Sequence, residues 1–241
     1  MAPHHLPVLV FGLLGNVVSF LVYLSPLPTF YTVLKRKSTE GFQSIPYSVA
    51  LFSAMLTLYY ATLKQNALML ITINSIGCVI EAIYLIIYLI YATNTSRIYT
   101  LKLVGIFNTS SYVLIVVLTN RLLEGDMRMH VVGWICAIFS VCVFAAPLSI
   151  MRLVIRTKSV EYMPFSLSFF LTLCALCWLG YGLAVQDFYI ASPNILGFLF
   201  GVAQMILYLI YKKKKNEQIL PETNSKELAL KEAPTPNQLN V

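Results

Sequence analysis

Seven long apolar segments follow one another along the chain, and short polar stretches separate them. A run of about 20 apolar residues is long enough for an α-helix to cross the hydrocarbon core of a bilayer. The segments lie near residues 7–30, 45–63, 68–91, 101–120, 131–153, 164–185 and 191–211. We therefore predict an all-α membrane protein with seven transmembrane helices.

The final residues, 214–241, have a different character. They are rich in charge, contain Pro221, Pro234 and Pro236, and show no hydrophobic period. Such a segment cannot bury enough apolar surface to offset the entropy that it would lose on folding. We expect a disordered tail.

Overall composition excludes a soluble protein. Hydrophobic residues make up 58% of the chain and charged residues only 11%, against about 25% charged residues in ordinary soluble proteins. A soluble protein of 241 residues cannot cover that much apolar surface, so the lipid bilayer is the main solvent of this chain.

Basic residues are distributed unevenly between the two sides of the predicted membrane. Most of them lie in alternate gaps and after the last span: Lys35, Arg36, Lys37, Arg97, Lys102, Arg152, Arg156, Lys158 and Lys212–Lys215. The opposite gaps hold Lys64, Arg121 and Arg128. Because cytoplasmic loops carry an excess of Lys and Arg, we expect an extracellular N-terminus and a cytosolic C-terminus. The net charge of +7 is thereby assigned to topology and not to nucleic-acid binding.

The two halves of the chain resemble each other. Residues 12–40 align with residues 133–161, and Pro26 coincides with Pro147 in this alignment. Apolar residues align with almost any membrane segment, whereas prolines, glycines and the shared Lys-Ser-x-Glu turn do not. We interpret the pattern as an internal duplication.

The duplication divides the chain into four parts. They are a first three-helix unit (1–94), a linker helix with its loops (95–129), a second three-helix unit (130–213) and the tail (214–241). Because a single span joins the two units, both run through the membrane in the same direction, as parallel repeats about an axis along the membrane normal. Transporters built in this way hold their substrate at the interface between repeats, near the middle of the membrane.

Two asparagines stand at the head of equivalent apolar runs. Asn74 opens "NSIGCVIEAIYLIIYLIY" and Asn194 opens "NILGFLFGVAQMILYLIY". Their equivalent positions predict that the two side chains face each other across one cavity. A carboxamide offers two donors and two acceptor lone pairs, which suits a neutral ligand with many hydroxyl groups. The alternative is that each amide links neighbouring helices.

Several segments resemble those of the plant SWEET sugar facilitators. They include "GNVVSFLVYLSPLPTFYTVLKRKSTEGFQSIPYSVALFSAM", "LITINSIGCVIE", "VFAAPLSIMR" and "PNILGFLFGVAQMILYLIYK", and the resemblance extends over residues 8–213. It implies a plasma-membrane uniporter that moves sucrose and/or glucose down its gradient by alternating access, without a cofactor or ATP. A homo-oligomer is left open.

The resemblance also implies roles for individual residues. The family's sugar pocket corresponds to Ser19, Val22, Ser53, Asn74, Val143, Cys174, Trp178 and Asn194, with Thr57 beside them. Its outer gate corresponds to Tyr60, Tyr181 and Asp187, and its inner constriction to Phe42 and Met163. Its four prolines, one in each kinked helix, correspond to Pro26, Pro46, Pro147 and Pro164. These prolines are expected to act as hinges, with static kinks as the alternative.

One position departs from the family pattern. The family motif Ala-Met-Leu-Trp reads Ala54-Met55-Leu56-Thr57 in this chain, and the internal repeat aligns Thr57 with Trp178. Two facing tryptophans would stack on both faces of a sugar ring, and one of them is missing here. The change puts sugar affinity and substrate choice in question.

Other functions fit the sequence less well. A proton-coupled carrier is the main alternative, because Glu81 is an acid well inside a span; its repeat equivalent is Gly201, so it lies off the symmetric set of residues. We expect its carboxylate to support a polar contact between helices. A seven-span receptor is disfavoured by the repeat, and the sequence has no nucleotide-binding loop, metal-ligand cluster or catalytic triad that would indicate an enzyme.

Overall fold

The computed structural model describes residues 5–160, 163 and 165–232. Within these residues the chain forms seven helical segments that are long and apolar enough to cross a membrane. The prediction of an all-α protein with seven transmembrane helices is confirmed.

Several of the spans are built from more than one helix. The elements are α1 (His5–Leu24), α2 (Leu27–Arg36), α3 (Ile45–Leu63), α4 (Leu68–Tyr91), α5 (Asn94–Lys102), a π-helix (Leu103–Ser110), α6 (Ser111–Leu122), α7 (Gly125–Val143), α8 (Ala145–Thr157), α9 (Phe165–Ala184) and α10 (Phe188–Glu232). The first span is α1 with α2, the fourth runs from α5 to α6, and the fifth is α7 with α8.

The two units pack in the same way. In the first unit α4 contacts both α1 and α3, and in the second unit α10 contacts both α7 and α9. The units meet through two contacts, α1 with α9 and α3 with α7. In the internal alignment α1 is equivalent to α7, and α3 is equivalent to α9. Each of the two contacts is therefore the repeat equivalent of the other, as a pseudo-twofold axis requires. The prediction of two parallel three-helix bundles joined by a linker helix is confirmed.

Equivalent glycines allow the helices of each unit to approach closely. A Cβ atom on Gly12 would lie 2.6 Å from the Met69 side chain, and a Cβ atom on Gly133 would lie 2.7 Å from the Tyr189 ring. Small residues at such positions let the backbones of membrane helices come together, since packing replaces the hydrophobic effect as the driving force there.

The prolines do not all kink a helix. Pro26 lies between α1 and α2, and Pro147 lies in the first turn of α8, so both mark a break in their span. Pro46 lies in the first turn of α3, where its missing N–H costs no helical hydrogen bond. The expected kink at Pro46 is therefore absent, because α3 begins there. Pro164 lies outside the described residues.

Polar contacts attach the linker helix to α3. The Asn108 amide donates to the Ser48 carbonyl at 2.9 Å, and the Ser48 hydroxyl donates to the Asn108 side-chain oxygen at 3.2 Å. Nearer the start of α3, the hydroxyls of Ser44 and Thr100 lie 2.7 Å apart. Asn108 sits in the π-helix, where the extra residue per turn alters which side chains face α3.

The last helix extends into the segment that the sequence analysis assigns to the tail. Helix α10 continues without a break to Glu232, well beyond the expected start of the disordered segment at residue 214. The sequence here is rich in Lys, Glu, Gln, Leu and Ala, which favour helix, and extending an existing helix requires no new nucleus.

We predict that Asn108→Ala lowers the free energy of unfolding by about 1–2 kcal/mol, since it removes two buried interhelical hydrogen bonds that average about 0.6 kcal/mol each in membranes and leaves a cavity. Thermal unfolding of the purified protein in detergent measures the effect. Thr109→Ala is the matched control, because Thr109 is exposed and its hydroxyl bonds only to its own helix. Equal unfolding midpoints for the two variants would contradict the proposed attachment.

Candidate substrate cavity between the two units

A cavity of about 240 Å³ lies where the two units meet. Its walls come from both units, and they include six of the residues that the sequence analysis assigns to the sugar pocket: Ser19, Ser53, Thr57, Asn74, Trp178 and Asn194. The structure therefore brings together side chains that are far apart in sequence. We call this space the central cavity.

The two asparagines on its wall are held in the same way. Asn74 Nδ2 donates to the Leu70 carbonyl at 2.9 Å, and Asn194 Nδ2 donates to the Ile190 carbonyl at 2.7 Å. Each amide is thus fixed by a bond to its own helix, four residues back. This bond uses one donor, so the side-chain oxygen and the second N–H remain available to a ligand in the cavity.

Asn16 is an amide that links two helices, and it serves as a comparison for Asn74 and Asn194. Its Nδ2 donates to the Met69 carbonyl on a different helix at 2.9 Å, and its Oδ1 accepts the Thr72 hydroxyl at 2.8 Å. Both ends of the Asn16 amide therefore join α1 to α4. Asn74 and Asn194 make no such crossing bond among the described residues, which favours a ligand-binding role over helix linkage.

Trp178 is positioned by the opposite unit. Its indole Nε1 donates to the Ser19 hydroxyl at 2.9 Å, and its ring lies against Gly15, where a Cβ atom would come within 3.1 Å. On its own helix it packs edge-on against Tyr181, with ring centroids 5.4 Å apart. These contacts fix the indole as a flat apolar wall of the central cavity.

Thr57 stands at the repeat-equivalent position on the opposite wall. It lines the cavity, and its hydroxyl donates to the Ser53 carbonyl at 2.9 Å, within its own helix. A side chain that bonds back to its helix offers neither a flat surface nor a free donor to a ligand. The central cavity consequently has one tryptophan wall where the repeat would allow two.

A hydrogen bond and a salt bridge to Asp187 join the two units at the end of the cavity beyond Trp178. We call this group of bonds the Asp187 closure. Tyr60 donates its phenol proton to Asp187 Oδ2 at 2.7 Å, and Lys64 forms a salt bridge with the same carboxylate. The other oxygen of Asp187 accepts the backbone N–H groups of Tyr189 and Ile190, which caps the start of α10. Tyr60 and Lys64 belong to the first unit and Asp187 to the second, so these bonds hold the units together at this end.

The other expected gate residues are placed differently. Tyr181 is 1% exposed and packs against Trp178. Tyr181 also lines a further cavity together with Lys64. Phe42 lines a separate cavity with Tyr99, and Met163 is buried. Neither Phe42 nor Met163 is among the described residues that line the central cavity.

A second cavity of about 450 Å³ adjoins the central one and is lined by residues of the second unit together with Ser53 of the first. The two cavities share Ser53, Ser140 and Asn194. Val143 and Cys174, which the sequence analysis assigns to the sugar pocket, line this second cavity. We call it the annex.

Val22 lies apart from both spaces. It lines a different cavity between α1 and α9, together with Leu21 and Ser25. Its repeat equivalent, Val143, does reach the annex, so the two halves of the molecule differ at this level.

Sequence reasoning missed several residues of the site, and three of them are polar or charged groups with a clear place in it. Ser140 lines both cavities and is the repeat equivalent of Ser19, so the internal alignment could have identified it. Lys64 lies one helical turn after Tyr60, which places both on the same helix face, and this spacing was a usable signal. Tyr189 forms part of the cavity wall and bonds to His130 at 2.9 Å, and no sequence pattern pointed to it.

Comparison with known proteins decides the family. A sequence profile described as "Sugar efflux transporter for intercellular exchange" matches residues 9–96 and 130–216, which cover most of both units. The chain belongs to the SWEET family. Membership confirms the expectation of a transporter and not an enzyme.

Individual SWEET proteins align with this chain over most of their length. The bidirectional sugar transporter N3 of Medicago truncatula is 54% identical over 226 residues, which cover 90% of this chain and 84% of that protein. The bidirectional sugar transporter SWEET14 of Arabidopsis thaliana is 55% identical over 221 residues, covering 91% and 79%. The 3.7 Å structure of a eukaryotic SWEET transporter superimposes with a TM-score of 0.83 at 32% identity, covering 88% of this chain and 100% of that one.

We predict that Thr57→Trp strengthens glucose binding about thirtyfold. A tryptophan face would remove roughly 80 Å² of sugar C–H surface from water, worth about 2 kcal/mol. Binding to the purified variant and parent measures the change, and Thr62→Trp, on the exposed side of α3, is the matched control. Glucose binding no stronger than in the parent would mean that the space at residue 57 is already filled, because overpacking costs about 1–3 kcal/mol.

Proposed function

We propose that this SWEET protein is a bidirectional uniporter that carries sucrose and/or glucose by alternating access. The observation that carries the proposal is the pair of equivalent amides, Asn74 and Asn194, on a cavity between two structurally equivalent units. Each amide is fixed by its own helix and keeps an oxygen for the ligand. The names of the relatives, bidirectional sugar transporters, support the same substrate class.

The chemistry of the cavity suits a neutral sugar. Amide oxygens accept hydrogen bonds from sugar hydroxyls, and the hydroxyls of Ser53 and Ser140 can both donate and accept. The Trp178 face packs against the apolar C–H side of a sugar ring. The lining contains no Asp, Glu, His, Lys or Arg among the described residues of the central cavity and the annex, so it favours an uncharged ligand.

The contacts between the units support alternating access. At one end the units are joined by the bonds of Asp187 to Tyr60 and Lys64, which are individually weak enough to break and re-form. The annex extends the cavity toward the opposite end, where Pro147 lines it at the break in the fifth span. The described conformation therefore corresponds to a state closed at the Asp187 end. Rocking of one unit against the other would break these bonds and open that end.

Charge distribution supports the orientation in the membrane. The Lys and Arg residues that follow α2 and α8 lie at the end opposite Asp187, and the positive-inside rule assigns that end to the cytosol. The Asp187 closure is then extracellular, and so is the N-terminus. We assign the protein to the plasma membrane by its resemblance to the sucrose and hexose branch of the family, and a homo-oligomer is left open.

Proton-coupled transport is a second candidate, and one observation favours it. Glu81 is 4% exposed within α4, and its Oε2 has no hydrogen-bond partner among the described residues. It does not support the polar interhelical contact that the sequence analysis expected. A buried carboxyl group without a partner is a possible proton carrier. Glu81 is not among the described residues that line the central cavity or the annex, however, so the uniporter is preferred.

We predict that Asn74→Ala and Asn194→Ala each reduce sugar uptake roughly tenfold or more, because each removes a hydrogen bond and leaves a sugar hydroxyl unpaired in the cavity. Uptake of radiolabelled sucrose and glucose into transport-deficient cells, normalised to surface expression, measures the loss. Asn16→Ala is the matched control, since it removes a structural amide outside the cavity. Parent-like uptake in both cavity variants would refute the pocket.

We predict that transport is passive and equally effective in both directions between about pH 5.5 and 7.5, the interval over which a coupled proton carrier would change its charge. Influx and efflux in proteoliposomes, with and without a protonophore, test this. Sugar accumulation against its gradient that a protonophore abolishes would contradict uniport. If Glu81→Gln also abolished that accumulation, proton coupling through Glu81 would replace it.

A further inference from the structure

A group of cations lies at the end of the second unit that is opposite Asp187. Arg152 and Arg156 are one helical turn apart on α8, Lys158 is the C-cap of that helix, and Lys212 ends the seventh span. All four side chains are exposed, and none of them forms a salt bridge with another described residue. We call these four residues the basic patch. Its positive charge is available to a partner.

Aromatic rings of α10 hold two of these cations in place. Lys158 Nζ donates to the Tyr211 hydroxyl at 3.4 Å and lies 5.2 Å from the centroid of that ring. Lys212 Nζ lies 5.5 Å from the centroid of the Tyr208 ring. The two tyrosines are three residues apart, so they share one face of α10. An ammonium group has three donors, and each lysine therefore keeps donors that point to solvent.

The arginines of the patch face away from the protein core. Val154, between them in sequence, is 0% exposed, and residues two positions before and after it lie on the opposite side of the helix. Exposed apolar side chains lie next to the cations, with Leu209 and Ile210 just before Lys212. This surface therefore combines unpaired cations with apolar groups that face lipid, which are the two features needed to bind a phospholipid.

The internal repeat shows that the patch carries more charge than membrane topology requires. In the internal alignment Arg152 is equivalent to Tyr31, and Lys212 is equivalent to Ala92. The other two cations have basic equivalents in the first unit: Lys35 and Lys37. Both units thus have cations that satisfy the positive-inside rule at this loop, whereas the second unit has two more. The additional charge calls for a different explanation.

We propose that the basic patch binds the headgroup of an anionic phospholipid of the cytosolic leaflet that carries more than one phosphate group. Basic clusters on the cytoplasmic side of membrane helices attract such lipids. Guanidinium groups bind phosphate oxygens in pairs, and the lysines add compact positive charges. The acyl chains of the lipid would lie along Leu209 and Ile210. The assignment to the cytosolic leaflet rests on the proposed orientation of the chain, and it does not depend on which sugar enters the central cavity.

Removal of two patch charges tests the site, and the repeat supplies a matched control. We expect Arg156→Gln with Lys158→Gln to weaken binding of dioctanoyl phosphatidylinositol bisphosphate about tenfold or more, measured on the full chain purified in neutral detergent. Lys35→Gln with Lys37→Gln removes the same charge at the equivalent positions of the first unit and should weaken binding less than about twofold. All four changed side chains are exposed, so both variants should unfold at the parent temperature.

Two further probes distinguish a lipid from a free phosphate compound. Dioctanoyl phosphatidylcholine, which has no net charge, should not bind, and inositol trisphosphate should bind at least about tenfold more weakly than the lipid, because it has no acyl chains. Parent-strength lipid binding by the Arg156 and Lys158 variant would overturn the site, and so would an equal loss in the control variant. Equal binding of the lipid and of inositol trisphosphate would overturn the assignment to a lipid. Each of these outcomes would leave the proposed sugar transport intact.

Discussion

Polar groups inside a bilayer must be satisfied by the protein itself, and this constraint governs the whole molecule. Helices satisfy the backbone, so the side-chain amides and hydroxyls within the spans become the informative residues. Most of them are fully used: Thr57 and Thr172 bond back to their own helices, and Asn16 and Asn108 join neighbouring helices. The amides that keep free hydrogen-bonding capacity border the cavities. Ligand binding is therefore located by asking which side-chain amides among the described spans the fold leaves incompletely paired.

Duplication supplies the symmetry, and sequence divergence between the copies supplies the asymmetry. The contacts of α1 with α9 and of α3 with α7 follow the pseudo-twofold axis, as does the placement of Gly12 and Gly133. The differences occur where one copy carries a large residue and the other a small one, as at Thr57 and Trp178. The central cavity is thus shared by both units, whereas the annex is lined mainly by the second. The two units are equivalent in fold, but the space between them is therefore asymmetric.

Hydropathy and the repeat predicted the spans, their grouping and the pairing of Asn74 with Asn194, because span length follows directly from the thickness of the bilayer. The other expected residues of the central cavity came from the resemblance to the family. Other features depend on packing, which the linear pattern does not contain. The π-helix arises where Asn108 turns toward α3, the annex depends on how Gly201 approaches Thr172, and Val22 points away from the site that its position suggested.

The central claim is that one sugar binds between the two equivalent amides and against the single tryptophan. A structure of the protein with sucrose bound tests it most directly. The account predicts one sugar ring between Asn74 and Asn194, with hydroxyl groups within hydrogen-bond distance of both side chains and a ring face on Trp178. Sucrose bound elsewhere, or held in the cavity without contact to either amide, would contradict it.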